Sequence, residues 1–160
     1  MLPGRNLAFL PEYAWDFAIT IEGWESGIFI PAADDGQEKI AEASEFFVLA
    51  DAGQQKVTVR VPKSILGDDP AGWRYAAVVM SQEGFPSAGV MRVRDVQPVA
   101  EQWRIGGAPA GATNHTRVID LVWPDEGQQE AWLSDFTVKD TQQPDLTADD
   151  YARVGMLTAQ

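Results

Sequence analysis

From Trp15 to Trp24 the chain reads WDFAITIEGW, with Trp15, Phe17, Ile19 and Ile21 at one parity and Asp16, Ala18, Thr20 and Glu22 at the other. A period of two is that of a half-buried strand. Glycines 23 and 27 punctuate the run before a short apolar stretch, Gly27 to Ala32, which predicts a hairpin turning through EGWESG. The same pattern returns in KVTVRVP, Lys56 to Pro62, where Val57, Val59 and Val61 are expected inward and Thr58 and Arg60 outward. With the apolar run Phe46 to Ala50 and the polar turn DAGQQ before it, this makes a second hairpin. Between the two, the acidic segment Asp34 to Glu45 predicts an exposed loop with a weak helical turn.

Pro62 ends the second hairpin, and KSILGDDPAG makes a turn-rich crossing into WRYAAVVMS, whose two faces are both largely apolar, as in a central strand. Gly84, Pro86 and Gly89 mark the next loop. MRVRDV predicts a short strand with Met91, Val93 and Asp95 opposing Arg92, Arg94 and Val96, and TRVIDLVWP a firmer one ending at Pro124. Asp125 to Phe136 is the helix candidate, with Trp132, Leu133 and Phe136 available to pack. The expected architecture is therefore an all-β, antiparallel β-sandwich with one short C-terminal helix. The module is taken as residues 1–140, and residues 141–160 as a polar tail with a short helix over 147–154.

Composition narrows the classes of partner. A chain of 160 residues is one domain's length. Its 24 acidic residues against 12 basic ones give a net charge of −12, which argues against a nucleic acid partner because phosphate needs Lys and Arg to neutralise it. There is no cysteine, hence no disulfide, thiolate metal site or thiol nucleophile. No apolar run approaches the roughly 20 residues of a membrane span, and the N-terminus lacks a signal-peptide pattern.

Six tryptophans are the first candidates for chemistry, since indole faces stack on the apolar faces of sugar rings. Trp15, Trp73 and Trp123 occupy strand positions where packing is the ordinary role. Trp24, in a glycine-flanked turn, and Trp103, in QWRIGG, are the expected binding residues because loops carry recognition groups. Arg104, like Arg92 and Arg94, offers forked donors to sugar hydroxyls or an ion pair to Asp95 or Glu101. The pairs Asp34 with Asp35 and Asp68 with Asp69 offer hard oxygen ligands to calcium but lack the spacing of a calcium loop, and in LGDDP the first reading of Asp68 or Asp69 is a turn cap, so calcium stays an alternative without a motif and no metal site or cofactor is expected. Asp120, in mid-strand, predicts a buried carboxylate paired with Arg117 or Arg104. The single histidine, His115, lies in a Gly, Thr and Asn loop with no visible Ser or Asp relay, and its co-occurrence with Met80, Met91 and Met156 reads as chance, not as a haem site. No catalytic residue is expected.

The ordered blocks LPGRN, WDFAITIEGW, VRVPKSILGDDPAGWRYAAVVMSQEGF, RVRDV, QWRIGG, RVIDLVWP and EAWLSDF resemble the C-terminal module of glucodextranase and of related amylopullulanases and glucoamylase-like enzymes. That module is similar to family-9 carbohydrate-binding and DOMON-like sandwiches. The resemblance implies a non-catalytic appendage of a secreted α-glucan-degrading enzyme, extracellular or on the cell surface. Its implied partners are α-glucan or cell-wall polysaccharide and a catalytic domain in cis. The alternative it leaves is a structural or surface-association module without sugar affinity. In the family LPGRN lies inside the module, so the resemblance also implies that opening strands are lacking before Met1, leaving sheet edges unpaired.

Overall fold

The computed structural model describes residues 4–23, 26–33, 36–67, 71–82, 93–102, 104–139 and 146–158. In chain order the elements are β1 (Leu7–Phe9), β2 (Ala18–Thr20), β3 (Gly27–Pro31), β4 (Gln37–Glu42), β5 (Phe47–Asp51), β6 (Lys56–Arg60), α1 (Lys63–Leu66), β7 (Arg74–Tyr75), β8 (Val78–Met80), β9 (Asp95–Gln97), β10 (Arg104–Gly106), β11 (Val118–Leu121), α2 (Glu126–Ser134), β12 (Ala152–Val154) and β13 (Leu157–Thr158). Strands in small sheets dominate, and α2 is the one helix longer than a turn among the described residues, so the fold is all-β with one short C-terminal helix, as the alternation predicts. The chain divides into two compact units, residues 15–73 and residues 3–14 with 74–159.

The unit of residues 15–73 contains both predicted hairpins. β2 pairs antiparallel with β3, and β5 with β6, in the registers Ile19 to Ile28 and Val48 to Val59. Its core is Ile28, Ala41 and Phe46, packed by Val48, Val59, Val61, Ile65 and Leu66. Val57, expected inward, is exposed beside Ala50 near the hairpin turn, beyond the reach of that core. The acidic segment differs more from expectation. Residues 37–42 form β4 against β3, and only Ala43–Glu45 make a helical turn. Its propensity for strand is low, but pairing with an apolar strand and burial of Ala41 override it. A bulge opposite Ile28 and Phe29 inserts Ile40, and Lys39 lies over the Phe29 ring at 5.7 Å.

β3 is central and its residues Gly27–Phe29 are buried, whereas β2 is an edge of the sheet. Phe17, Ile19 and Ile21 consequently remain 38, 39 and 44 % exposed, although Ile19 shares a face with the fully buried Ile28. The half-buried strand of the sequence is thus shorter and less covered than its alternation suggests.

In the unit of residues 3–14 and 74–159, β1 pairs with β12 and β9 with β10, both parallel, while β8 pairs with β11 and β7 with β13 antiparallel. Leu7, Val118, Leu121, Ala152 and Val154 form the core, covered by Phe9, Val78, Met80, Trp123, Trp132, Leu133 and Phe136. Burying a side chain such as Leu121 completely is worth about 1.5–3 kcal/mol. WRYAAVVMS does not make one central strand. It splits into β7 and β8 with different partners, and Tyr75 and Val79 face solvent. In MRVRDV the strand begins only at Asp95, and Met91 and Arg92 lie outside the described residues.

TRVIDLVWP carries the most informative departure. β11 has a bulge between Val118 and Asp120, so the buried residues are Val118 and Leu121, three apart, with Ile119 and Asp120 both outward. The predicted buried carboxylate at Asp120 is therefore exposed, and it accepts a hydrogen bond from Gln129 Nε2 at 2.6 Å, with no ion pair to Arg117. The helix is as predicted. Asp125 caps it by accepting from the Gln128 N–H at 2.9 Å, and Trp132, Leu133 and Phe136 pack on the core, with Trp132 edge-on to Trp123 at 4.6 Å.

After the helix, residues 148–150 make a single 3₁₀ turn and residues 152–154 are strand, where a short helix was expected over 147–154. The alternation of Ala152 and Val154, both fully buried beside Leu7 and Phe9, is too short to stand out in so polar a stretch. Two side chains hold this segment. Asn114, fully buried, donates through Nδ2 to the carbonyls of Thr137 at 2.6 Å and Asp150 at 2.5 Å, and accepts the Lys139 N–H at 3.2 Å. Asp150 accepts from the Thr147 N–H and Oγ1 at 2.8 and 3.0 Å and pairs with Lys139 Nζ.

The Lys139 ammonium, followed by the Thr147 N–H, lowers the Asp150 carboxyl from 3.8 to about 2. A depressed carboxyl contributes stability that is complete above its unfolded value and is lost as pH falls through the folded one. The stability difference between wild type and Asp150→Asn, measured by urea unfolding, is accordingly constant at pH 5 to 7 (~1–3 units above the ordinary Asp value) and shrinks steadily between 3.8 and about 2. A difference independent of pH across that window would show that the carboxylate charge is not what holds the segment.

Candidate functional site

Of the sequence-predicted binding residues, Trp24 and Trp103 lie outside the described residues, as do the pairs Asp34 with Asp35 and Asp68 with Asp69. Arg104 is described, and its surroundings can be built from the chain upward. Glu101 and Arg104 exchange both backbone hydrogen bonds, N–H to carbonyl at 3.2 and 3.3 Å, which closes a tight turn at the head of β10. The strand then runs parallel to β9, with Arg104 beside Asp95 and Gly106 beside Gln97. Gly106 is required there. A Cβ on it would stand 2.8 Å from the backbone nitrogen of Ala100, closer than any real contact allows, so the return of the chain past residue 100 depends on the absent side chain.

This register sets Arg104 Nε 3.6 Å from Asp95 Oδ2, the pairing the sequence offered as one of two choices. The other carboxylate oxygen, Oδ1, takes Arg117 Nη2, and Arg117 Nη1 donates to the Gly4 carbonyl at 2.9 Å. One carboxylate thus stands between two guanidiniums in a chain whose net charge is −12. The three side chains keep 31, 37 and 21 % of their surface for Arg104, Asp95 and Arg117. At that exposure each pair is worth about 0–1 kcal/mol. The cluster's chemical value is its directional groups: planar N–H donors beside a carboxylate acceptor, the set that adjacent hydroxyls of a polyol engage. Asp95 was legible in the sequence as a partner of Arg104, whereas Arg117, expected beside Asp120, pairs with Asp95.

The remaining candidates fall elsewhere. Trp15 and Trp123 are half-buried, Trp123 against the core and donating from Nε1 to Gln128 Oε1 at 2.9 Å, while Trp73 is 37 % exposed where packing was expected. Arg94 is half-buried, its N–H donating to the Ser81 carbonyl at 2.9 Å. His115 is half-buried, edge-on to Phe136 at 5.1 Å. Its Nδ1 lies 2.7 Å from the Thr116 carbonyl, which can only accept, so Nδ1 carries the proton and the ring is fixed to the backbone. Met80 packs into the core. Among the described residues no three His, Asp or Glu side chains converge as metal ligands, and no helix is long and apolar enough to cross a membrane.

Small sheets, one capped helix and a partly exposed cluster of two guanidiniums about one carboxylate define, among the described residues, an all-β module. A family model, the C-terminal binding module, SLH-like, of glucodextranase, matches residues 1–147, and the chain belongs to that family. Its role is accordingly that of a binding module. No curated protein and no solved structure matches the chain.

Replacing Gly106 with Ala should push Ala100 and β10 apart, lowering stability by about 1–3 kcal/mol. Urea unfolding measures this directly. A neutral Gly106→Ala would mean that the close approach at residue 100 does not set the position of Arg104.

Proposed function

We propose that the chain is a non-catalytic carbohydrate-binding or cell-surface-associating module of a secreted α-glucan-degrading enzyme, acting beside a catalytic domain in cis. Membership in a family of glucodextranase binding modules carries this reading. The guanidinium of Arg104, oriented by Asp95 on the neighbouring strand, supports it by offering fixed donors to sugar hydroxyls. Trp24 and Trp103 are the proposed stacking platforms for the apolar faces of the sugar rings. The ligand is α-glucan or cell-wall polysaccharide, and the setting extracellular or at the cell surface.

A second reading, a structural or surface-association module without sugar affinity, draws support from a different observation. Phe47 and Leu49 on β5, and Val79 and Ile119 on β8 and β11, are each about half exposed, the kind of surface that another protein covers.

Electrophoresis through gels containing starch, pullulan or dextran separates the two. The folded chain is expected to be retarded, and Trp24→Ala, Trp103→Ala or Arg104→Ala each to weaken binding about tenfold, or about 1.4 kcal/mol, without unfolding. Unchanged mobility on every glucan would favour the second reading. Incubation with α-glucan oligosaccharides should release no reducing sugar. Turnover that survives removal of contaminating amylase and disappears on changing one carboxylate would contradict the accessory role.

A further inference from the structure

Asn114, His115 and Thr116 spell the acceptor pattern for N-linked glycosylation, Asn-x-Thr, in which an oligosaccharide is attached to the carboxamide nitrogen. In the folded chain that nitrogen is closed off. Asn114 has no exposed surface, both Nδ2 donors are spent on the carbonyls of Thr137 and Asp150, and Oδ1 holds the Lys139 N–H. Thr116, whose hydroxyl a transferase must read, is buried, with its Oγ1 accepting the Val118 N–H at 3.4 Å. A sugar on Nδ2 would remove at least one of the two donated bonds and has no space to occupy.

The groups that close the site arrive late. Thr137 and Asp150 follow Asn114 by 23 and 36 positions, so a chain emerging from its N-terminus presents the pattern before its partners exist in space. We propose that Asn114 is a glycosylation site open only until the segment containing Asp150 and β12 docks, so that modification and docking exclude each other. In the transfer, Nδ2 forms a bond to the anomeric carbon of a lipid-pyrophosphate-linked oligosaccharide. The bond from that carbon to the pyrophosphate oxygen breaks, and one Nδ2 proton is lost. A modified chain cannot restore both Asn114 bonds to residues 137 and 150, and β12 loses its anchor beside β1. The natural occurrence of this competition rests on the proposed export, but the experiment supplies an export route of its own and does not depend on sugar binding.

The full chain, with an added secretion signal, is expressed in a eukaryotic host and examined for a mobility shift removed by an endoglycosidase. Wild type should emerge mainly unshifted and protease-resistant, with any shifted fraction protease-sensitive. Val154→Asp, which places a charge in a fully buried position of β12, should shift by one glycan, and the double variant Val154→Asp with Asn114→Gln should lose the shift. Asp150→Ala, which loosens the segment but keeps the strand, should give an intermediate fraction. Wild type carrying a glycan while remaining as protease-resistant as the unmodified chain would overturn the proposal, and so would a Val154→Asp chain that stays unshifted.

Discussion

A carboxamide with no access to water must find partners for both its donors and its acceptor, because each group left unpaired costs about 1–3 kcal/mol. Asn114 meets this requirement only through backbone groups of residues 137, 139 and 150. That requirement ties a loop between β10 and β11 to the C-terminal segment. Asn6, in a left-handed conformation at φ 50°, ties the same loop to the head of β1 by donating to the carbonyls of Thr113 and His115 at 3.3 and 3.0 Å. With both ends fixed, β12 lies parallel to β1 and Ala152 and Val154 close over Leu7 and Leu121. The Asp150 carboxylate, held by Lys139 and Thr147, adds a charged brace to the same segment.

The family match ends at residue 147, yet the core of this unit draws on residues 152 and 154. Two of the buried residues of this unit thus lie beyond the matched span. The candidate site depends on the same scaffold. Arg117, next to β11, is anchored by its own N–H on the Arg5 carbonyl and by its guanidinium on the Gly4 carbonyl, and it holds the carboxylate that orients Arg104.

Alternation carried the parts of the fold where one face meets a core and the ladder is regular. The hairpin β5 to β6 was readable for that reason from its valines, and α2 was readable from its place after Pro124 and the helical spacing of Glu126, Gln129, Glu130 and Leu133 beside Trp132 and Phe136. Bulges defeated it elsewhere. One extra residue at Ile119 turned Asp120 outward, which no periodicity reveals, and Arg117 pairs with Asp95 instead. β4 and β12 were invisible because each buries only one or two small or β-branched side chains from a polar stretch, and tertiary pairing supplies the rest. At the site, Arg104 and its partner Asp95 were legible from residue chemistry and spacing, but the second guanidinium was not.

Hydrogen exchange on the native chain tests most directly whether the C-terminal strand is a core element. If the Asn114 and Asp150 bonds lock it in place, the amides of residues 152–154 and 7–10 exchange only through global unfolding of their unit, as slowly as those of Val118–Leu121. Exchange of residues 152–154 at the rate of an open loop, while Val118–Leu121 stay protected, would contradict the account.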